Sequence, residues 1–480
     1  MTSGERPHFA FFPFLADGHI LPMVDMAKML ALRGLRTAII TTEKNVPLVS
    51  NSVKKIQSSG IHIQILHFKF PSAEFGLPEG IENVRSLTLM GADNPHPALR
   101  IFYDSTLLLQ EPVQRLLIDL KPHCIVTDPF YFWFGNVAAK LNVPVLGFLG
   151  SGFFSMSVSF SLRIHKPYEN VSSDSEPFMV PMPGHVMISR DQMLAFDLNL
   201  PIAVKMKEAI SKYEGLVLNT CKELEPVYAE FFMNTIGKKV WSVGPLALIN
   251  KDAEEKMLRG AATLNETASN CMKWLDSKAP NSTIFVSFGS VARFKDSQMK
   301  EIATALESCG FNFVWVVRKP EGCTTEKLWL LEGFEKRMEG KGLIISEWAP
   351  QVAILGHQSV GGFVTHCGWN SVLEGVISGK PMVTWPIAAE QFYNEKLLID
   401  VLKIGVGVGC RKQCPWYGDE VMKEAIEKAV SQVMAGKVAE EMRERAVALR
   451  RLASEAVAVN GSSYEDVADI IQQFVASQSS

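Results

Sequence analysis

His19 follows the apolar run 9–14, and Asp128 follows the apolar run 124–127. A neutral imidazole of ordinary pKa can take a proton near neutral pH. A carboxylate on its other ring nitrogen would fix the tautomer and stabilise the imidazolium. Farther along, His366-Cys-Gly-Trp-Asn-Ser follows the run 362–365 and opens a helical pattern that reaches about Ser378. A helix N-terminus offers unpaired N–H groups and the positive end of a dipole, a setting for phosphate. His366, Asn370 and Ser371 add side-chain donors there. Trp348 comes after the run 342–346 and can stack on a flat base. Glu374 lies one turn beyond Asn370, where a carboxylate suits the hydroxyl pair of a ribose. Glu390 and Gln391, after the run 381–384, offer the acceptor–donor mix that binds sugar hydroxyls. Taken singly, a His at a helix start is usually a cap, and a Glu-Gln pair is usually surface. Their joint occurrence at strand C-terminal ends, where open α/β sheets place ligands, favours a binding site.

Those positions need a scaffold of parallel strands. Short β-rich runs alternate with helical periodicity at 9–14, 37–42, 61–68, 124–127, 143–148 and 215–219. The alternation starts again at 283–288 and continues through 313–317, 342–346, 362–365 and 381–384. Parallel sheets with crossover helices read this way. Two sets imply two α/β domains, 1–245 and 269–458, joined by a charged linker at 246–268. No internal repeat of solenoid or propeller type occurs.

Composition narrows the function classes. The chain has 480 residues, 48 basic against 51 acidic, for a net charge of −3. That balance, without a run of like charge, speaks against nucleic acid or an anionic membrane as the main partner. Hydrophobic content of 47% and charged content of 21% exclude a disordered or coiled-coil chain. Eight cysteines are scattered, and Cys410 and Cys414 lack Cys-x-x-Cys spacing, which favours a reducing, cytoplasmic compartment. The uncharged stretch 143–162 is long enough to span a bilayer, but Pro144, three glycines and five serines favour a strand, loop and helix.

Residues 348–391 resemble the 44-residue signature of plant secondary-product UDP-glycosyltransferases, family 1, with the GT-B fold. The resemblance runs from Gly18-His19-Ile-Leu-Pro22 to Gly461-Ser-Ser-Tyr464. It implies two Rossmann-like domains facing across a cleft, with a closing helix in 459–480 that packs back on the first domain. It further implies that Trp348 stacks on uracil, whose edge meets Ala349 and Gln351, and that Glu374 holds the ribose. Ser290, His366, Asn370 and Ser371 would bind the diphosphate, and Trp369, Glu390 and Gln391 the sugar. Gln at the last position implies UDP-glucose. His19 would be the general base and Asp128 its orienting acid, in an inverting transfer to a hydroxyl. No Asp-x-Asp occurs, which fits a reaction without metal or other cofactor. Asp17 and Lys380 depart from the family pattern, and Asp17 adjoins His19.

The acceptor is expected to be large and apolar, a flavonoid, terpenoid, steroid or triterpenoid. Its pocket would draw on 75–94, 130–134 and 153–193, with Gly18, Phe130, Phe153 and Met193 among its contacts. No stable membrane insertion is expected, and a monomer is. One alternative keeps the fold but uses another UDP-sugar or forms a C-glycoside. Two readings of other classes compete: a dinucleotide oxidoreductase, and a non-catalytic binder of a UDP-sugar or small apolar ligand. The near-fingerprints Gly150-Ser-Gly152 and Gly405-Val-Gly407-Val-Gly409 lack the strand, helix and acidic context of the first. Having both His19 and Asp128 speaks against the second.

Overall fold

The computed structural model describes residues 7–87, 96–194, 197, 201–261, 266–317, 333–415 and 417–476. The parts of the expected acceptor wall at 88–94, of the linker at 262–265 and of the closing segment at 477–480 lie outside the described residues.

The first sheet uses β1 (His8–Phe12), β2 (Arg36–Thr42), β3 (Ile63–Phe68), β4 (Cys124–Thr127) and β5 (Val145–Leu149). A short antiparallel ribbon follows, β6 (Phe178–Met179) and β7 (Met187–Ile188), before β8 (Gly215–Leu218) and β9 (Lys239–Ser242) complete the sheet. Its order is β3-β2-β1-β4-β5-β8-β9, with every pairing parallel. The second sheet holds β10 (Thr283–Ser287), β11 (Asn312–Val316), β12 (Gly342–Ile345), β13 (Val360–Thr365), β14 (Met382–Thr384) and β15 (Gly405–Gly407). Its order is β12-β11-β10-β13-β14-β15, again all parallel. The expected α/β architecture of two parallel sheets is present.

Central strands such as β1, β5 and β10 are buried along their whole length, so they read as continuous apolar runs rather than alternating ones. Three buried clusters follow. One fills the face of the first sheet covered by helix Asp17–Leu32, and Val467, Ile470 and Phe474 of helix Ser462–Ala476 join it. A second, rich in aromatics from Phe12 to Phe134, fills the opposite face. The largest runs unbroken from Phe153 and Phe154 of the first domain through Trp369 and Tyr393 into the second sheet. Continuity of that cluster holds the two domains together.

Helix Ser462–Ala476 is tied to β9 by polar contacts as well. Trp241 Nε1 donates to Asp469 at 2.6 Å, and Asp466 accepts from the Ser242 N–H at 2.8 Å. The stretch 143–162 is β5, a turn and the start of helix Phe153–His165. Among the described residues no helix is long and apolar enough to cross a membrane. Gly152 ends that turn because a Cβ there would stand 2.5 Å from the Trp369 indole. The glycines of Gly405-Val-Gly407 belong to edge strand β15, which the sequence pattern did not reveal because a strand with glycines at alternate positions carries almost no apolar signal.

Candidate active site

Both sheets reverse strand order at one place, between β1 and β4 in the first and between β10 and β13 in the second. Open parallel sheets bind ligands at the C-terminal edge of such a reversal, where neighbouring loops diverge and leave a crevice. In the first sheet, Phe12 is paired with Thr127, so the loops that follow β1 and β4 leave side by side. His19 lies in the first turn of helix Asp17–Leu32, which the β1 loop opens into, and Asp128 comes directly after β4. His19 Nδ1 bonds directly to Asp128 Oδ2, and Asp128 Oδ1 accepts from the Phe130 N–H at 3.1 Å. Asp128 is buried, whereas the His19 side chain is 29% exposed and lines the central cavity. Phe14 and Phe130 meet the imidazole edge-on, with ring centres at 5.4 and 5.6 Å, and hold its plane. Burial pulls the His19 pKa down, but the charge and hydrogen bond of Asp128, helped by Glu390 from the second domain, outweigh it and raise it above the ordinary value. Asp17 is engaged elsewhere: one oxygen accepts from Arg85 at 3.0 Å and the other from Asn83 at 3.2 Å.

The second sheet presents its own set. Ser290 follows β10, Trp348 follows β12, His366 follows β13 and Glu390 follows β14, and all four line the same cavity of about 470 Å³. His366 is wedged between two glycines. A Cβ on Gly289 would stand 2.7 Å from its ring, and one on Gly368 would stand 2.5 Å from its Nε2. Gly289 also has φ of +76°, which favours glycine on backbone grounds. Burial lowers the His366 pKa to about 4, so the ring is neutral at physiological pH. Its buried Nδ1 has no hydrogen-bond partner among the described residues. Cys367 and Ala389 have φ of +64° and +57°, left-handed conformations that are uncommon without glycine and gather at functional sites.

Helix Trp369–Ile377 starts at this point and reaches across to the first domain. Asn370 Nδ2 donates to the Gly18 carbonyl at 2.7 Å, and Trp369 Nε1 donates to the Asn219 carbonyl at 2.8 Å. The backbone beside His19 is thereby fastened to the N-terminus of the helix opposite. Gln351 Nε2 bonds to Ser371 Oγ at 3.0 Å and to Glu374 Oε2 at 2.7 Å. Ala349, Ser371, Glu374 and Trp369 line the cavity with Trp348 and Gln351. Burial raises the Glu390 pKa above the carboxylate norm.

Three residues expected at the site are not on the cavity wall. Phe153 is fully buried at the first position of helix Phe153–His165, and its N–H donates to Glu225 at 3.2 Å. Met156 and Ser159, one and two turns on, face the cavity instead. Met193 packs into the core, and its neighbour Leu194 reaches the wall. Gln391 turns its Oε1 back to accept from the N–H groups of Ile387 at 2.8 Å and Ala388 at 3.0 Å. That pair of bonds shapes the loop bearing Glu390 and spends the carbonyl end of the side chain on the backbone. Lys380 is at the other end of the sheet, beside the start of β13, where its ammonium donates to the Val360 carbonyl at 2.7 Å.

The cavity also contains residues that the sequence did not single out. Arg259 and Gly260 come from the connection between domains, Tyr103 and Arg163 from helices of the first domain. Arg259 is 4% exposed and lies between two carboxylates: Nε donates to Asp25 Oδ2 at 2.7 Å and Nη1 to Glu374 Oε1. Removing one member of such a buried charged group commonly costs about 3–5 kcal/mol. Among the described residues no cluster of His, Cys, Asp or Glu is arranged to hold a metal ion.

Residues 259–452 match the protein family described as UDP-glucoronosyl and UDP-glucosyl transferase. Over nearly the whole of both chains, 98% of each, the protein is 44% identical to UDP-glycosyltransferase 73B3 of Arabidopsis thaliana. It is 42% identical to UDP-glucose flavonoid 3-O-glucosyltransferase 7 of Fragaria ananassa, over 98% of this chain and 96% of that one. Among solved structures, Glycyrrhiza uralensis UGT73P12 complexed with glycyrrhetinic acid 3-O-monoglucuronide superposes with a TM-score of 0.89 at 37% identity, covering 98% of this chain and 96% of the other.

Proposed function

The chain belongs to the plant family 1 UDP-glycosyltransferases, and on that premise we propose that it transfers glucose from UDP-glucose to a hydroxyl of a large, mainly apolar acceptor, with flavonoids the foremost class. The observation that carries this reading is the His19–Asp128 pair at the strand-order reversal of one sheet, opening on the same cavity as the helix N-terminus at the reversal of the other. With Nδ1 held by Asp128, the Nε2 edge of His19 serves the acceptor. Nε2 takes the hydroxyl proton as the oxygen attacks the anomeric carbon. The bond from that carbon to the diphosphate breaks on the opposite face, so the configuration inverts. Charge that appears on UDP is met by His366, Ser290, Asn370, Ser371 and the N–H groups that open helix Trp369–Ile377. Trp348 stacks on uracil with Ala349 and Gln351 at its edge, Glu374 takes the ribose, and Trp369 and Glu390 take the glucose. Gln391 acts through the loop that it shapes, and no step in this reading uses a metal.

Apolar side chains of the first domain, Met156, Leu194, Met206 and Ile210 with Phe130, suit a flat or polycyclic acceptor. Relatives named for flavonoid, scopoletin and anthocyanin glucosyl transfer favour phenolic acceptors over terpenoids or steroids. The test is a panel of flavonoid, coumarin, triterpenoid and steroid acceptors with UDP-glucose, read by product mass spectrometry with and without EDTA. Glucosides of the phenolic acceptors, undiminished by EDTA, are expected. Binding of UDP-glucose with no glucoside from any acceptor would leave a binder rather than a transferase.

A further inference from the structure

Arg259 stands where three parts of the molecule meet. Its backbone belongs to neither sheet, following the short helix Ala253–Leu258 in the connection between domains. Its guanidinium joins a carboxylate of the first domain to one of the second, Asp25 to Glu374. Asp25 sits on helix Asp17–Leu32, whose first turn carries His19. Glu374 sits on helix Trp369–Ile377, whose N-terminus opens on the cavity. The remaining oxygens are also engaged. Asp25 Oδ1 accepts from Asn250 Nδ2 at 2.9 Å, and Asn250 Oδ1 in turn accepts from Lys28 Nζ at 2.6 Å. Glu374 Oε2 accepts from Gln351 Nε2. Each oxygen of Glu374 thus holds one protein donor and keeps a second lone pair, and the residue lines the cavity.

We propose that Arg259 is a positioning residue for the nucleotide: it fixes the Glu374 carboxylate so that its remaining lone pairs receive the ribose hydroxyls, and through Asp25 it sets that carboxylate in register with the helix bearing His19. The inference rests on the ribose role given to Glu374 above. A guanidinium suits the task because its planar fork bonds two carboxylates from different nitrogens in fixed directions, whereas a lysine ammonium is a single point of charge. Gly260 contributes room. Its φ is +85°, and a Cβ there would come within 3.4 Å of the Trp348 indole nitrogen. The same turn of chain therefore bonds Glu374, assigned to the ribose, and lies beside Trp348, assigned to the uracil face.

A purely structural salt bridge would change stability and leave nucleotide discrimination alone, so discrimination is the readout. Calorimetry on the full chain would compare UDP with 2′,3′-dideoxyuridine diphosphate for wild type, Arg259→Lys and Asp25→Asn, with thermal melts to verify folding. Wild type should favour UDP by at least about tenfold, the scale of a hydrogen bond to a charged group. The preference should fall to about threefold or less in Arg259→Lys and to an intermediate value in Asp25→Asn, which does not line the cavity. A folded Arg259→Lys protein with the wild-type preference overturns the proposal. Should that variant fail to fold, an unchanged preference in Asp25→Asn overturns it. Equal wild-type affinity for the two nucleotides overturns the ribose role of Glu374 and this inference with it, while absence of UDP binding overturns the functional reading itself.

Discussion

The two walls of the cleft differ in how they are assembled. The donor wall draws nearly all its polar groups, from Trp348 to Glu390, from one short stretch of the second domain. The acceptor wall gathers Gly18, Tyr103, Phe130, Met156, Leu194 and Ile210 from six separate places in the first domain. On the donor side, residue type is dictated by geometry. His366 fits only because positions 289 and 368 lack a Cβ, and Gln351 must reach both Ser371 and Glu374. The proposed acceptor side is lined mainly by apolar side chains, a surface that many residues can provide in several arrangements. A polar site tolerates little change, whereas an apolar wall can be rebuilt for a new acceptor while the chemistry stays in place.

The sharpest break of this contrast is His19→Ala. It should lower turnover of an aliphatic alcohol acceptor by about 10²–10⁴-fold and leave UDP affinity unchanged, measured by single-turnover kinetics and calorimetry. A phenolic acceptor, already partly ionised as pH rises, should keep more of its rate. Wild-type rates on the alcohol would remove His19 from the role of base.

Next in size is Glu390→Ala, expected to cost about 2–4 kcal/mol of transition-state binding with UDP-glucose. Gln391→His should act more weakly, because Gln391 bonds to the loop and is off the cavity wall; the galactose-to-glucose ratio of initial rates reads its effect. Trp348→Ala should weaken UDP by about 1–3 kcal/mol, the worth of stacking on a base. UDP affinity equal to wild type would end the stacking assignment.

The pH profile tests the pairing of His19 with Asp128. The base must be neutral, and the His19 pKa is held above 6.5, so kcat/KM should fall as pH drops below that raised value. Stability runs the other way. The contribution of a protonated His19 paired with Asp128 is fully present below pH 6.5 and is lost as pH rises through the raised pKa. Asp128→Asn removes the largest raising influence and leaves burial dominant, so the acid limb should move to lower pH. An unmoved limb would assign the titration to another group. The smallest effect should come from Phe130→Ala, which trims the cavity wall beside His19: acceptor KM should rise about tenfold, the low end for a lost methylene-sized contact, with the UDP-glucose KM unchanged.

The contrast also sets how much of the molecule its amino-acid order carries. Strands β1, β2, β4, β10 and β13 were legible as apolar runs because buried parallel strands have two covered faces. Edge strands β9 and β15 were not, since one holds only two apolar residues behind an exposed lysine and the other has glycine at alternate positions. Trp348, His366, Asn370, Ser371 and Glu374 could be grouped from the sequence because the ends of β12 and β13 are near along the chain, although β11 and β10 lie between them in the sheet. By itself, the amino-acid order determined the two-sheet class, through local periodicity, and the family, through its resemblance to a known signature at 348–391. Tertiary structure alone decided that Arg259 leaves an apparent linker to join Asp25 and Glu374, residues 349 positions apart. It alone turned Phe153, Met193 and Gln391 away from the cavity. Such outcomes depend on which face of a helix the domain packing buries, and on where a long side chain finds its counter-charges. Neither is set by the residues next to it in the chain.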